Sequence, residues 1–149
     1  MQLYDPIQIL NLDNFLPLDG EDNIEIFTDG GVLNLDIFYE PKGSESHTAK
    51  FRISFPYTKY FFKTPFPDYG FFGCLIGLDS SPEEQDCSLD DQDLSLLHSL
   101  VEYRHSKILD MDHKMTGATG YRHYQLLLHS VGVAIHVIAD SCEILGNIE

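Results

Sequence analysis

The sequence predicts an α+β domain in which a mainly antiparallel sheet of five to seven strands carries one principal amphipathic helix. Three features support this class: strand-like alternation near the N-terminus, a helical apolar stripe after an acidic connector, and a second strand-like region at the C-terminal end. The chain has 149 residues, enough for one domain with a sizeable core. The domain, 1–149, is expected to contain a strand-rich part (1–76), an acidic connector (77–90), a helix (91–112) and a C-terminal hairpin and strand (120–146).

The strand-rich part opens with short apolar runs that predict one edge strand or a turn lying over the core. The runs NIEIFTD and VLNLDIFYE follow, and the TDGG between them has the glycine freedom that a tight hairpin requires. Leu33, Leu35 and Ile37 alternate with Asn34 and Asp36, which is the two-residue period of a half-buried strand. Because KFRISF alternates in the same way, three consecutive antiparallel strands are expected.

An aromatic segment, residues 55–72, comes next and contains three prolines. The prolines exclude a continuous helix or a central strand. Core packing is the favoured interpretation, and a pocket or a partner-facing patch is the alternative. Stacking on single-stranded nucleic acid is disfavoured, because only Lys59 and Lys63 supply positive charge there.

The helix is predicted to begin at Asp90 or Asp91 and to end near Asp112. Leu94, Leu97, Val101 and Ile108 recur at helical spacing. Acids in the first turn, and Lys107 and Lys114 near the other end, suit the helix dipole. The glycines of KMTGATG predict its termination.

Three histidines near the C-terminal end raise the question of a metal or catalytic site. We expect a strand pair with residues 130–132 as its turn and with residue 129 facing residue 133. In that register His123 and His129 lie on one face and His136 lies on the other. His123 and His129 are also roughly 20 Å apart along an extended strand, too far to bind one ion. The interpretation is a strand pair with scattered histidines, without a metal or a cofactor.

Nucleophile motifs are absent from the sequence: it has no G-x-S-x-G elbow, Walker loop, G-x-G-x-x-G fingerprint or H-E-x-x-H helix. Cys142 lies near His136 and Asp140 in sequence, but a buried thiol is the simpler interpretation. The three cysteines (Cys74, Cys87 and Cys142) show no C-x-x-C spacing and predict a reducing, cytoplasmic location. No signal peptide or membrane span is expected, since there is no basic leader and no apolar run of eighteen residues.

Charge is the strongest compositional feature: nine Lys and Arg against 24 Asp and Glu give a net charge of −15. Residues 1–41 and 64–103 contain no Lys or Arg. Such a field repels nucleic-acid phosphates and anionic lipid and attracts basic proteins, although it also serves solubility alone.

The C-terminal fifty residues carry three features of one family pattern: Ser106-Lys107 late in the helix, YRHY at 121–124, and Val137-Ile138-Ala139 before a terminal strand. In these features the region resembles the ending of small bacterial immunity proteins, encoded beside secreted or contact-delivered toxins, and of related uncharacterised domains. The resemblance implies a protein that masks a toxin, often a basic nuclease, without catalysis. It transfers no functional residue, because those families place their binding surfaces differently.

The function expected from the sequence is non-catalytic: an acidic protein that neutralises a basic protein partner, as an immunity protein does. One alternative is a DNA mimic or anti-defence inhibitor. Another is a small hydrolase or ligand-binding protein with a pocket of Tyr60, Phe66 and Tyr69 beside His123 or His136. A homo-oligomer formed through an exposed strand edge is a further alternative. The predicted partner-binding surface combines the N-terminal acids with Glu83, Glu84, Asp86, Asp90, Asp91 and Asp93.

Overall fold

Two antiparallel sheets form the frame of the protein in the computed structural model, which describes residues 4–17, 20–41, 47–65, 99–128 and 130–148. Within these ranges the chain forms nine strands, one α-helix and a short 3-10 helix. The strands are β1 (Tyr4–Asn11), β2 (Asn23–Asp29), β3 (Val32–Tyr39), β4 (Ala49–Phe55), β5 (Tyr60–Pro65), β6 (Ser99–His105), β7 (Arg122–Leu128), β8 (Val133–Ala139) and β9 (Glu143–Ile148), the helix α1 is Lys107–Thr116, and the 3-10 helix is Leu12–Asn14.

The strand order in the larger sheet is β1-β6-β7-β8-β5, and in the smaller sheet it is β2-β3-β4-β9. Every neighbouring pair is antiparallel. The predicted α+β class is therefore confirmed, although nine strands in two sheets exceed the expected five to seven. The N-terminal strand β1 does lie at a sheet edge.

The main hydrophobic core lies between the two sheets. The smaller sheet contributes Leu35 and Ile53, and the larger sheet contributes Leu126 and Ile135, all of them buried. Burying a Leu or Ile side chain contributes about 1.5–3 kcal/mol relative to leaving it exposed. The strand alternation read from the sequence is what gives each sheet an apolar face for this core.

The β2–β3 hairpin confirms the first of the predicted turns. Gly30 and Gly31 have φ angles of 57° and 85° and connect Asp29 to its cross-strand partner Val32. A two-residue turn with positive φ at both positions matches the twist of the flanking strands. Since β3 pairs in turn with β4, the three consecutive antiparallel strands are confirmed.

The helix is shorter and starts later than expected. Residues 91–98 lie outside the described ranges, and residues 99–105 form β6, so the assignment of those seven residues to a helix is wrong. β6 lies between β1 and β7 and is buried from Ser99 to Tyr103. A strand buried on both faces has a nearly continuous apolar sequence, which resembles the wide stripe of a buried helix.

The observed helix α1 has defined caps at both ends. The Ser106 side chain accepts a hydrogen bond from the Leu109 N–H, and Gly117 ends the helix at a φ of 72°. Lys107, expected near the C-terminal end, is its first residue, whereas the predicted termination at the glycines is confirmed. None of the helical structure in the described part of the chain is long and apolar enough to cross a membrane.

The helix packs on the outer face of the larger sheet, through a small cluster around Ile108 and Ile138. A polar contact anchors it there. The Lys59 Nζ lies 2.8 Å from the Asp112 carboxylate, to which the Tyr60 hydroxyl also donates a hydrogen bond at 3.2 Å. The beginning of β5 therefore holds the C-terminal half of α1 in place.

The C-terminal hairpin forms, but its register differs by one residue from the expected one. Leu128 pairs with Val133, and Gly132 has the expected positive φ of 65°, whereas His129 lies outside the described residues. The predicted pairing of residue 129 with residue 133 is wrong. Side chains alternate between the two faces of a strand. This one-residue shift therefore changes which β7 side chains lie on the same sheet face as each β8 side chain.

We expect replacement of the helix cap, Ser106→Ala, to lower the free energy of unfolding by about 1 kcal/mol, because the Leu109 N–H loses its acceptor. Urea denaturation followed by circular dichroism measures this. The exposed Thr119→Ala, beyond the helix, is the control and should have little effect. Equal stability of the two variants would contradict the capping role.

Candidate functional site

The six acids predicted to bind a partner (Glu83, Glu84, Asp86, Asp90, Asp91 and Asp93) lie outside the described residues. The same is true of Phe66 and Tyr69 from the alternative pocket. Of the N-terminal acids, which belong to the same predicted surface, Asp19 also lies outside the described residues, and Glu21 and Asp36 are buried, so their assignment to the surface is wrong. Others place a group of carboxylates on the smaller sheet.

The acidic edge, as we name it, consists of Asp22, Glu25 and Asp29, on and just before the edge strand β2. All three residues are exposed. Within the described part of the chain, none of their carboxylates forms an ion pair or a side-chain hydrogen bond. Phe27 lies between Glu25 and Asp29 on the same outward face, and its side chain is 39% exposed.

The cations nearest to this edge, Arg52 and Lys50, form ion pairs with the buried carboxylate of Asp36. Asp36 is opposite Glu25 on one side and Arg52 on the other, so a row of three charged residues crosses β2, β3 and β4. The Arg52 guanidinium donates to both Asp36 oxygens, at 2.6 and 2.8 Å, and it lies 5.0 Å from the centre of the Phe27 ring. The Lys50 Nζ is 3.9 Å from the same carboxylate. Glu25 thus has no cation of its own among the residues that the structure describes.

This arrangement recurs in the ion pairs of the larger sheet. In each, an arginine or lysine pairs with a buried carboxylate, and the hydrogen bond between them raises the pKa of the cation. The fold therefore uses part of its scarce positive charge internally, and the exposed acids keep their negative field. Beside Arg52–Asp36 of the smaller sheet, the pairs are Arg122–Glu102 within the larger sheet and Lys59–Asp112 between that sheet and α1.

Two histidines lie in direct contact on the outer face of the larger sheet. The His123 Nε2 is 2.9 Å from the His136 Nδ1, and the two residues are 0% and 2% exposed. The expectation that these imidazoles point to opposite faces is wrong. The observed register pairs His123 with Ile138 and Gln125 with His136, so all four residues share one face.

Burial keeps both histidines neutral. Desolvation lowers the pKa of His136 to about 4, and desolvation together with the neighbouring His136 lowers the pKa of His123 well below its usual value. One ring must then donate an N–H and the other must accept it. The His123 Nδ1 is buried and has no hydrogen-bond partner in the described part of the chain. Because a buried N–H without an acceptor is rarer than a bare acceptor, the favoured tautomer has His123 donating through Nε2.

The histidine pair does not extend to a larger ligand set within the described ranges, where no three His, Cys, Asp or Glu side chains are grouped closely enough to hold a metal ion. His105 and His113 are exposed, and the His113 Nδ1 lies 3.1 Å from the Ala118 carbonyl oxygen. The described geometry supports a structural role for the pair, as a polar contact inside an apolar layer.

The structure does not bring together the side chains of Cys142, His136 and Asp140, which lie close in sequence. Cys142 packs against the core between the sheets, whereas His136 lies on the outer face. Burial raises the pKa of the Cys142 thiol to about 12, and the nearby Glu102 and Glu143 add to this shift. The thiolate that a nucleophile requires is therefore disfavoured. Asp140 is exposed.

The described part of the aromatic segment, residues 55–65, divides between core and surface. Phe55 is buried in the core between the sheets. Tyr57, Tyr60 and Phe61 are exposed, with Tyr57 in a turn at a positive φ of 53°. Phe62 is half-buried beside α1. Sequence reasoning could not separate these roles, because the residues on β5 face two different layers.

No known family model, no curated protein and no solved structure matches this chain. Its function is therefore inferred from the charges and contacts of its own residues.

We expect stability to fall as pH drops from 7 to 5, because His136 binds a proton in the unfolded chain below its ordinary pKa of 6.5 but in the folded chain only near 4. This contribution is complete above pH 6.5 and is lost as pH falls toward the folded value. It amounts to about 2 kcal/mol between pH 7 and pH 5.

Urea unfolding across that pH range measures the slope. The variant His136→Gln should lose the part of the slope that His136 contributes and keep the part that comes from the still-buried His123, whereas the exposed His105→Gln should keep the whole slope. An unchanged slope in His136→Gln would show that other groups cause the pH dependence.

We expect Arg52→Met to lower the free energy of unfolding by about 2 kcal/mol, because it leaves the buried Asp36 carboxylate with only the more distant Lys50. Chemical denaturation checks this value. The double variant Asp36→Asn with Arg52→Met should recover part of the loss, since it removes the uncompensated charge. A double variant less stable than Arg52→Met alone would contradict this explanation.

Proposed function

We propose that this protein binds and neutralises a basic protein partner without catalysis, in the manner of an immunity protein that masks a bacterial toxin. One observation carries the proposal: the acidic edge of Asp22, Glu25 and Asp29 is exposed and has no ion-pair partner among the described residues, while the nearby cations are bound to a buried acid. An exposed carboxylate without an internal partner can pair with a cation from another molecule at no cost to the fold.

The whole-molecule charge supports the same partner chemistry. A net charge of −15 attracts a basic protein from beyond contact distance and speeds the diffusional encounter. Salt screens such a field over about 8 Å at physiological ionic strength, so the association rate depends on ionic strength. The same field repels the phosphates of nucleic acids, which favours a protein as the direct partner.

The mixed character of the acidic edge supports a protein interface in particular. Phe27 offers a partly exposed aromatic ring between two acids, and aromatic residues surrounded by polar ones are typical of protein–protein contacts. We include the six connector acids in the proposed surface because of their charge and their place in the sequence alone. The protein would act in the cytoplasm.

Affinity capture of the tagged protein from its native cell, followed by mass spectrometry, is the first experiment. We expect a basic protein to be enriched, and its association rate to fall at least tenfold between 50 mM and 500 mM salt. Capture of no basic partner, or association that is insensitive to salt, would contradict the proposal.

Neutralising the acidic edge should slow association with the captured partner by about tenfold, because the steering charge is removed at the contact. The variant is Asp22→Asn, Glu25→Gln and Asp29→Asn. The control carries the same charge change elsewhere: Asp110→Asn, Asp140→Asn and Glu143→Gln. A second variant replaces the six connector acids with alanine. Partner binding that survives both the edge variant and the connector variant would show that the proposed surface is wrong.

A further inference from the structure

We infer that β2 is a docking strand, to whose free edge the partner adds an extended segment that alternates basic and apolar residues. This inference rests on the proposed function and specifies the contact through which the partner binds.

The four sheet edges differ in how well they could accept another strand. The pairings that involve β1 and β9 are interrupted by register shifts, between Gln8 and Leu10 in β1 and between Arg52 and Ile53 opposite β9. Bulges of this kind twist an edge and discourage further pairing. β5 ends in Pro65, which has no N–H to donate. β2 has neither a bulge nor a proline.

The backbone of β2 is regular and accessible. Its seven residues pair in unbroken register with β3, from Asn23 opposite Phe38 to Asp29 opposite Val32. Among the described strands, β3 is its sole neighbour. In an antiparallel pair, the N–H and C=O groups of alternate residues point away from the partner strand. β2 therefore offers a row of donors and acceptors to an incoming strand.

The side chains of β2 specify what that strand should carry. Ile24 and Ile26 are half-buried and pack against the core between the sheets. Glu25, Phe27 and Asp29 alternate with them on the outward face. Side chains on adjacent strands lie about 4.5–5.5 Å apart when they are directly opposite. Apolar residues of the partner would thus extend the core next to the isoleucines, and basic residues would meet the carboxylates.

Charge selects this occupant over a second copy of the chain. A pairing of two β2 strands would bring the acidic edges of both molecules to one seam, with no described cation available to separate them. Glu25 and Asp29 are four residues apart, or roughly 13 Å along the strand. Lysine or arginine at alternate outward positions of the partner reaches both.

The test uses a capped, fluorescently labelled nine-residue peptide that alternates lysine and valine, and a second peptide of the same composition with its lysines and valines in separate blocks. We expect the alternating peptide to bind the intact protein at least tenfold more tightly, measured by fluorescence anisotropy. Backbone amides of β2 should exchange hydrogen at least fivefold more slowly when it is bound, whereas those of β9 should be unchanged. Equal binding of both peptides, or unaltered exchange in β2, would overturn the inference.

A pair of charge-reversal variants locates the contact. Glu25→Lys with Asp29→Lys should weaken binding of the alternating peptide at least tenfold. Asp140→Lys with Glu143→Lys makes the same charge change near the opposite edge of the sheet and should alter it less than twofold. Equal weakening by both variants would mean that total charge, and not β2, determines binding.

The captured native partner separates failure of this inference from failure of the proposed function. If that partner still binds the Glu25→Lys and Asp29→Lys variant but not the connector variant, the neutralising function stands and the docking strand is overturned. If the alternating peptide adds to β2 but no basic partner exists in the cell, the edge geometry stands and the neutralising function is overturned.

Discussion

The register of β7 against β8 is the constraint on which the two layers of this fold depend. These strands lie at the centre of the larger sheet, and their pairing of Leu128 with Val133 decides which side chains face the core. Leu126, Ile135 and Val137 point toward the smaller sheet. A slip of one residue would turn the β8 side chains over, placing His136 in the core and Ile135 and Val137 on the other face.

The histidine contact follows from this register and adds to its specificity. The two buried imidazoles share their hydrogen bond of 2.9 Å only when the strands pair as observed. An alternative register would bury at least one ring without that partner, and an unpaired polar group in an apolar layer costs about 1–3 kcal/mol. The pair therefore favours one register over its neighbours, at the expense of stability at acid pH.

The acidic residues include two groups: buried carboxylates that pair with cations, and exposed carboxylates of the acidic edge that have no such partner among the described residues. Buried carboxylates on β3, β6 and α1 each hold an arginine or a lysine. Since the chain has only nine such cations against 24 acids, each internal pair leaves fewer cations to balance the surface. The acidic edge of β2 is one result, and it coincides with a sheet edge that no bulge or proline protects. Acidic side chains there oppose self-association while remaining compatible with a basic strand.

The sequence by itself determined the α+β class, the β2–β3 hairpin, the alternation of β3 and β4, and the excess of negative charge. These features depend on local periodicity, on glycine conformations and on composition, all of which can be read without knowing which segments meet.

The sequence does not predict the features that depend on contacts between distant segments. The sequence of β6 predicts a helix because side chains on both faces of this strand are buried, and the expected hairpin register separates the histidines because it differs by one residue from the observed pairing of Leu128 with Val133. Only the tertiary structure decided that His123 meets His136, that Arg52 is bound to Asp36, and that Glu25 and Asp29 lie at a sheet edge without an ion-pair partner among the described residues. Each of these depends on which strands lie side by side, and strand pairing is a property of the whole fold rather than of any short stretch of sequence.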